Sequence, residues 1–336
     1  MLPTNPPVSI VITSIYPPTE AVRRFAGRAG YQTIVVGDRK TPADWQAPGV
    51  VYLSVAEQEA AGFRLSTRLP YNHYGRKMMG YLHAIRTGAQ VIVDTDDDNL
   101  PYPDWEFPPM EGSYATAPAG KGFVNIYKSF TTHHIWPRGY PLDLILSPAH
   151  NLSEEQLLPA PARVGVWQAL ADGDPDVDAI YRLVDNTEVF FDQRPPIVLA
   201  EGTLCPFNSQ NTALRRELFP LLYLPAYVTF RFTDILRGLV AQPIMWAHGY
   251  RLGFTQATVQ QIRNPHDYLK DFESEIPCYL HPNRVVAAVR AVVEPSVPVG
   301  ENLRRAYAEL ARQGLVPAEE TELLELWLAD LAALTT

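Results

Sequence analysis

A run of three β-branched residues that leads into four carboxylates constrains this chain more than any other feature. Val91-Ile92-Val93 is followed by Asp94-Thr95-Asp96-Asp97-Asp98-Asn99, whereas a buried strand does not normally end in a cluster of like charges. Clustered carboxylates raise one another's pKa unless a cation lies among them. Hard oxygen ligands suit Mg²⁺ or Mn²⁺, and open α/β sheets bind ligands at the carboxyl ends of their strands. The stretch therefore predicts a metal and diphosphate site at a strand end, with a solvated acidic turn as the alternative.

The segments around this cluster alternate between the patterns of strands and helices. β-rich runs predict strands at residues 8–13, 31–36, 50–53, 90–93, 164–169 and 253–259, and helices are predicted at 19–29, 55–61 and 76–87. Residues 101–118 are rich in proline and aromatic side chains and predict an irregular segment. A strand, a helix and a strand of these lengths indicate a parallel sheet with right-handed crossovers. The sequence therefore favours the α/β class.

Several polar side chains lie where the predicted elements begin or end. Asp38 follows the second predicted strand, where it either forms a turn or hydrogen-bonds a base or ribose. Arg76 and Lys77 lie in the first turn of a predicted helix, where the helix dipole disfavours cations. They are either exposed, with their stems packed on the surface, or they face an anion such as a diphosphate. Asp234 is either a helix cap or a catalytic carboxylate.

Composition restricts the class of partner. The chain has 336 residues, 46% of them hydrophobic, and a formal net charge of −9 without a basic run. This charge argues against a surface for nucleic acid or for an anionic membrane, although a metal ion can screen the phosphates of a nucleotide. Two cysteines, Cys205 and Cys278, argue against a disulfide framework and favour a reducing compartment.

The two ends of the chain carry further predictions. Residues 1–7 lack the charged start and apolar run of a signal peptide, and no stretch approaches the ~20 apolar residues of a membrane helix. We therefore expect a cytoplasmic protein without a transmembrane segment. Residues 301–334 have the leucine and alanine spacing of two amphipathic helices, which predicts an appendage for packing or for homo-oligomer formation.

Five collinear motifs resemble the STELLO-type family of glycosyltransferase-like proteins. The motifs are VGDRKTP (36–42), RK (76–77) with GYL (80–82), DTDDD (94–98), WPRGYP (136–141) and TDI (233–235). A more distant resemblance connects the chain with reversibly glycosylated polypeptides, which are UDP-arabinopyranose mutases. It rests on DDD (96–98), RGYP (138–141), GTLCP (202–206), Asn211 and Glu217-Leu218. Together the matches span about residues 8–280.

The resemblance implies a glycosyltransferase fold of the GT-A type, which is a Rossmann-like mixed sheet flanked by helices. On this basis we expect a catalytic domain at residues 1–290 and a C-terminal helical appendage at 291–336. Within the catalytic domain, residues 1–100 would form the nucleotide-binding half and residues 101–290 the half for the sugar and the acceptor.

The resemblance, taken with the polar residues above, also assigns roles. The expected nucleotide-binding residues are Asp38, Arg39, Arg76, Lys77, Asp96 and Asp97. The expected ligands of Mn²⁺ or Mg²⁺ are Asp96, Asp98 and His266. Related sequences often carry a histidine ligand after the late strand, where this chain reads TVQQ (258–261). Either this ligand is missing or His266 takes its place.

Arg138 and Asp234 are the expected catalytic residues. Arg138 lies where the mutase-like proteins carry the arginine linked to self-glycosylation. Asp234 lies where GT-A enzymes place an acidic residue near the acceptor or the sugar, and it would act as general base if the reaction inverts the anomeric centre.

The leading interpretation is a metal-assisted glycosyltransferase in polysaccharide biosynthesis. It would move a sugar from a nucleoside-diphosphate donor, such as a UDP-sugar, to a glycan or another hydroxyl acceptor. One alternative is a sugar-nucleotide mutase that glycosylates itself at an arginine. Another is a non-catalytic scaffold that assists a glycan synthase, although a scaffold does not need four clustered charges.

Overall fold

The structure is a computed structural model that describes residues 8–263 and 266–335. Its strands are β1 (Val8–Thr13), β2 (Tyr31–Val36), β3 (Val50–Leu53), β4 (Val91–Thr95), β5 (Asn99–Pro101), β6 (Glu111–Ala117), β7 (Gly122–Phe123), β8 (Leu158–Gly173), β9 (Ile197–Leu199), β10 (Thr203–Leu204), β11 (Asn211–Arg215) and β12 (Arg251–Gln261). Its α-helices are α1 (Glu20–Ala26), α2 (Val55–Ala60), α3 (Lys77–Arg86), α4 (Ala179–Val184), α5 (Thr233–Ala247), α6 (Tyr268–Leu280), α7 (Pro282–Val292), α8 (Val299–Arg312) and α9 (Glu319–Thr335). Short 3-10 helices occupy Arg64–Thr67, Tyr74–Arg76, Ile126–Ser129, Leu142–Leu144, Pro148–His150, Glu154–Gln156, Arg216–Leu222 and Phe230–Phe232.

Ten of the described strands form one mixed sheet in the order β3-β2-β1-β4-β11-β8-β6-β9-β12-β5, and β12 also pairs with β8. The strands β3, β2, β1 and β4 are parallel, as the alternating pattern predicted. β11 runs antiparallel to both β4 and β8, and β12 runs parallel to β8. The carboxyl ends of β1, β2, β4, β8 and β12 therefore lie at one edge of the sheet, where such folds bind ligands.

Alternating residues of β1 serve two hydrophobic clusters, one on each face of the sheet. Ile10 and Ile12 pack in the cluster that contains Phe25 of α1, whereas Val11 packs in the larger cluster on the other face. Side chains alternate in this way because successive residues of a strand point to opposite faces. The predicted α/β class, with a large sheet flanked by helices, is confirmed.

Gly80 allows α3 to lie close to the sheet. A Cβ atom at this position would lie 2.5 Å from Val11 Cγ1 and 2.7 Å from Val36 Cγ2. Any larger residue would push α3 away from β1 and β2. The close approach places Lys77, the first residue of α3, directly beside the end of β4.

The segment at 101–118 differs from expectation because it contains β6. This strand pairs over six residues with the first half of β8, which is 16 residues long. The sequence EGSYATA has few β-branched or aromatic residues, so pairing with a distant strand and not local propensity makes it a strand.

The two predicted C-terminal helices are observed as α8 and α9, and both pack against the rest of the chain. Trp327 of α9 is fully buried, and its Nε1 donates to the carbonyl of Pro220. Glu320 accepts hydrogen bonds from the backbone of Ala226 and Tyr227, at 3.0 and 2.8 Å. The expected boundary at 290/291 falls inside α7, and Leu303 of α8 and Trp327 of α9 belong to the larger hydrophobic cluster of the sheet. The division into a catalytic domain and an appendage stays a prediction.

Two predictions from composition can be compared with the structure. Both cysteines are buried and unpaired. Within residues 8–263 and 266–335, no helix combines the length and the apolar character that crossing a bilayer requires.

Candidate functional site

A cavity of about 310 Å³ lies at the edge of the sheet where the five strands end. Eight of the predicted site residues line it: Asp38, Arg76, Asp96, Asp97, Asp98, Arg138, Asp234 and His266. The other two predicted residues, Arg39 and Lys77, are not among its lining residues. The sheet thus brings together side chains from segments more than 200 positions apart in the sequence.

Lys77 is fully buried and neutralises the first part of the acidic cluster. Its Nζ lies 2.6 Å from Asp94 Oδ1 and 3.0 Å from Asp96 Oδ1, and it donates to the carbonyl of Thr95 at 2.6 Å. Burial lowers the pKa of Lys77, but the two carboxylates outweigh burial and raise it. Asp94 also accepts a hydrogen bond of 2.6 Å from Arg237 Nη1. Lys77 was expected to be exposed or to face a ligand, but its anions are carboxylates of the protein itself.

Arg76 and Arg39 share one aromatic partner. The guanidinium of Arg76 is buried, its Nε donates to Gln58 Oε1 at 2.8 Å, and its Cζ lies 4.6 Å from the centre of the Tyr71 ring. The exposed Arg39 lies over the same ring at 3.5 Å. Tyr71 therefore holds both cations, and only Arg76 lines the cavity.

The carboxylate of Asp38 accepts hydrogen bonds from the backbone of two loops at the cavity. Its Oδ1 accepts a hydrogen bond from the backbone N–H of Arg39 at 2.7 Å, and its Oδ2 accepts one from the N–H of His73 at 3.1 Å. Both oxygens thus bind backbone, as the turn interpretation predicted. The residue nevertheless lines the cavity.

Asp96 and Asp97 accept hydrogen bonds from residues of the cavity wall. Asp96 Oδ1 accepts from Lys77 Nζ and from the hydroxyl of Tyr74, each at 3.0 Å. Asp97 accepts a short hydrogen bond from the hydroxyl of Ser14, which follows β1. Burial raises the pKa of Asp97 to about 6, although the hydrogen bond from Ser14 acts in the opposite direction.

Asp98 has one paired and one unpaired carboxylate oxygen. Its Oδ2 accepts a hydrogen bond from Gln261 Nε2 at 3.0 Å, whereas Oδ1 is buried without a hydrogen-bond partner in the described part of the chain. Burial and the neighbouring charges of Asp96 and Asp97 raise the pKa of Asp98 to about 7. An unpaired oxygen among mutually repelling carboxylates fits a divalent cation, which would compensate the charge and coordinate the oxygen.

The described residues do not already form a metal cage. Among them, no three histidine, cysteine, aspartate or glutamate side chains are arranged to hold a metal ion. His266 lines the cavity, but its Nδ1 lies 3.0 Å from Asp271 Oδ2. The metal set of Asp96, Asp98 and His266 therefore stays a prediction.

Arg138 donates all five of its N–H groups to the protein. Its Nε and Nη2 donate to Asp176 at 2.8 Å each, and Nη1 and Nη2 donate to the two oxygens of Asp234 at 3.1 and 3.0 Å. The fifth N–H donates to the carbonyl of Arg231. Burial raises the pKa of Asp176, but Arg138 outweighs burial and holds it at about 2.

Asp234 lies in the first turn of α5, where a negative charge is favourable. Its side chain is 11% exposed and lines the cavity. The Ncap residue of α5 is Phe232, so Asp234 is not the cap. Its Oδ2 also accepts a hydrogen bond of 3.3 Å from the backbone N–H of Ser209. The carboxylate is therefore held in one orientation by four N–H groups, two from Arg138 and one each from the backbones of Ser209 and Ile235.

Several lining residues were missed by the analysis of the sequence. They include Ser14, Tyr74, Asp176, Arg231 and Arg263. Asp176 belongs to the acidic segment DGDPDVD (172–178) after β8, and Arg263 follows β12 by two positions. Both segments follow predicted strands, which is the pattern that could have identified them. That pattern points to the site only when β8 and β12 are known to run parallel to β4.

Comparisons with known proteins agree with the resemblance found in the motifs. Residues 231–336 match the family model of STELLO glycosyltransferases. The chain is 27% identical over 343 residues to "Probable glycosyltransferase STELLO1" of Arabidopsis thaliana, and 27% identical over 341 residues to "Probable glycosyltransferase STELLO2" of the same plant. Each alignment covers 96% of this chain but 44% of the relative, so the chain spans less than half the length of either. The predicted resemblance to the STELLO family is therefore confirmed, and the family model covers the C-terminal helices as well.

Proposed function

We propose that the protein is a nucleotide-sugar-dependent glycosyltransferase with a GT-A type of fold. The observation that carries the proposal is the acidic cluster at the end of β4, which faces a cavity and leaves Asp98 Oδ1 unpaired. The similarity to proteins named as probable glycosyltransferases supports the same class of reaction. The donor would be a nucleoside-diphosphate sugar, and the acceptor a hydroxyl group of a glycan or another molecule.

Asp96 and Asp98 would hold Mn²⁺ or Mg²⁺, with His266 as the candidate third ligand. When bound, such an ion would neutralise the negative charge that develops on the leaving diphosphate. The fit rests on the unpaired oxygen of Asp98 and on burial, which raises the pKa of both Asp97 and Asp98.

Asp234 would orient a hydroxyl group of the sugar or the acceptor. Two N–H groups of Arg138 hold the carboxylate in place at the wall of the cavity. A carboxylate accepts up to about four hydrogen bonds, and Asp234 already accepts from Arg138, from the backbone N–H groups of Ser209 and Ile235 and from the Ser209 hydroxyl. A ligand hydroxyl would therefore take the place of the 3.3 Å bond from the Ser209 hydroxyl. In an inverting reaction, Asp234 would be the candidate general base for the same hydroxyl.

A panel of nucleotide sugars incubated with Mn²⁺ tests the proposal. We expect release of the nucleoside diphosphate from one or more donors, by transfer to an added sugar acceptor or by slow hydrolysis. The variant Asp98→Asn should lose this release, whereas the matched control Asp104→Asn changes an exposed carboxylate outside the cavity and should keep it. Isomerisation of the donor without release would favour a mutase instead.

A further inference from the structure

Arg263 is a buried guanidinium with unused donors at the cavity. In the described part of the chain, the only polar contact of its side chain is an ion pair in which Nε lies 2.6 Å from Asp174 Oδ2. No hydrogen bond joins Nη1 or Nη2 to residues 8–263 or 266–335, and Nε is buried without a hydrogen-bond partner in the same residues. The side chain is 9% exposed and lines the cavity. Arg138, which lines the same cavity, has by contrast no unused donor.

Such a guanidinium has donors for a second anionic partner besides Asp174. Buried polar groups are nearly always hydrogen-bonded, because an unpaired donor retains the cost of leaving water. Burial lowers the pKa of Arg263, and the nearby cations Arg182 and Arg231 lower it further. Like-charged arginines packed together are stabilised when an anion lies among them.

Arg231 extends the same surface. Its Nε donates to Glu275 Oε1 at 2.8 Å, its side chain is 10% exposed, and it lines the cavity. No hydrogen bond joins its Nη1 to any residue in 8–263 or 266–335. Two guanidinium groups thus present donors to one region of the cavity.

This region lies beside the acidic cluster. Arg263 is close enough to Asp98 to lower the pKa of that carboxyl group, against the stronger effect of burial. The unpaired acceptor Asp98 Oδ1 and the unpaired donors of Arg263 therefore border the same space. A ligand that satisfies both must combine a cation with an anion, as a metal-bound diphosphate does.

We propose that Arg263, assisted by Arg231, binds the diphosphate group of the donor nucleotide. The proposal rests on the glycosyltransferase function proposed above and assigns the phosphate contacts to these two residues, whereas Lys77 is occupied by Asp94 and Asp96. The planar guanidinium fork matches two phosphate oxygens at once, which a lysine ammonium group cannot do.

Calorimetric titration with UDP, with inorganic pyrophosphate and with uridine tests this assignment. Each titration is made in Mn²⁺ and in EDTA, so that the readout is affinity and not turnover. We expect Arg263→Gln to weaken the binding of UDP and of pyrophosphate by about tenfold or more, and to leave the binding of uridine unchanged, because a charge-assisted hydrogen bond is lost. Arg263→Lys should give intermediate affinities, since it keeps the charge and loses the fork.

Arg251→Gln is the matched control, because Arg251 lies at the opposite end of β12 and also pairs with a single carboxylate, Glu201. Thermal unfolding of each variant in EDTA establishes that it is folded. UDP affinity that is equal in the wild type and in folded Arg263→Gln would overturn the assignment while leaving the proposed function intact. The wild type is also titrated with GDP and ADP. If it binds none of the three nucleoside diphosphates and no pyrophosphate, both the assignment and the proposed function are wrong.

Discussion

Arg138 and Asp234 form a buried ion pair through two hydrogen bonds, with Nη1 3.1 Å from Oδ1 and Nη2 3.0 Å from Oδ2. The other N–H groups of Arg138 go to Asp176 and to the carbonyl of Arg231. Burial lowers the pKa of Arg138, but the two carboxylates outweigh burial and raise it well above its usual value. A nitrogen atom that attacks a sugar needs a lone pair, which this arrangement withholds. We therefore expect Arg138 to position Asp234 and not to form a covalent intermediate.

Arg138→Lys should reduce both turnover and stability. We expect no covalent sugar adduct on either the wild type or the variant. Lysine keeps the charge but supplies three donors in place of five, so at least two of the acceptors on Asp176, Asp234 and Arg231 lose their partner. At about 1–3 kcal/mol for each of two unsatisfied buried groups, we expect a fall of about 2–6 kcal/mol in the free energy of unfolding. Urea unfolding measures this fall, and Arg24→Lys, which changes an exposed arginine paired with Glu20, is the control. A hexose- or pentose-sized mass gain on the wild type that maps to Arg138 would contradict the positioning role and favour the mutase.

Asp98→Asn should abolish turnover with little loss of stability. The substitution removes one of three neighbouring carboxylates, and an asparagine oxygen can still accept from Gln261 Nε2. Removing a like charge from a repelling group does not destabilise the free protein. Thermal unfolding in EDTA measures the effect on stability, and the release of nucleoside diphosphate measures the effect on turnover. Unfolding of the variant under conditions where Asp104→Asn stays folded would show that Asp98 has a structural role and that the proposed site is wrong.

Nucleoside diphosphate should bind weakly without a divalent ion. Six carboxylates line the cavity (Asp38, Asp96, Asp97, Asp98, Asp176, Asp234), against five basic side chains (Lys40, Arg76, Arg138, Arg231, Arg263). A diphosphate would therefore enter a cavity whose lining is negative on balance, and we expect its affinity to fall by about tenfold or more in EDTA, which is 1.4 kcal/mol or more. Calorimetry with UDP in Mn²⁺ and in EDTA measures the difference. Equal affinities for UDP in Mn²⁺ and in EDTA would contradict the proposed metal site. The arginines alone would then bind the phosphates.

The first half of the fold was predictable because its signals are local. The strands β1, β2, β3 and β4 are short β-rich runs, each separated from the next by a helical or polar segment, and all four were predicted at nearly their observed positions. The acidic cluster was predictable for the same reason, since its charges are adjacent in the sequence. These features need no knowledge of which strands pair.

The partners of the site residues were not predictable, because they depend on strands that pair across long sequence separations. Asp176, which follows β8, lies at the same edge as the acidic cluster because β8 runs parallel to β4, with β11 between them. Lys77 was assigned to a ligand because its own helix turn gives no sign that Asp94, 17 positions later, lies 2.6 Å away. Sequence patterns identify charged residues near a strand end, but pairing between distant segments decides which charges remain for a ligand.

Asp178 should make the protein less stable as the pH rises from 4 to 7. Its carboxylate accepts hydrogen bonds from the N–H of Tyr181 at 2.9 Å and from Trp136 Nε1 at 2.7 Å, but burial raises its pKa to about 6. An unfolded aspartate has a pKa of about 3.9, so the folded state binds the proton more tightly and loses stability between these two values. Two pKa units correspond to about 3 kcal/mol.

Asp178→Asn isolates this effect, since asparagine is also a good helix cap and carries no charge. Urea unfolding of both proteins at pH 4, 5.5 and 7 gives the difference in the free energy of unfolding. We expect the wild type to lose up to about 3 kcal/mol relative to the variant over this range. A difference that stays constant with pH would show that the carboxyl group of Asp178 has an ordinary pKa.

A chain of residues 1–290 should fail to fold, because α8 and α9 complete the core. The backbone N–H groups of Arg64 and Leu65 donate to Asp330 of α9 at 3.0 and 2.9 Å, and these acceptors would be lost. Removal of Trp327 would also leave a large void against the sheet domain, and a buried tryptophan replaced by alanine costs about 3–5 kcal/mol on its own. Circular dichroism and urea unfolding of residues 1–290, of Trp327→Ala and of the full chain measure this contribution. If residues 1–290 unfold cooperatively and bind UDP like the full chain, the C-terminal helices are an appendage after all.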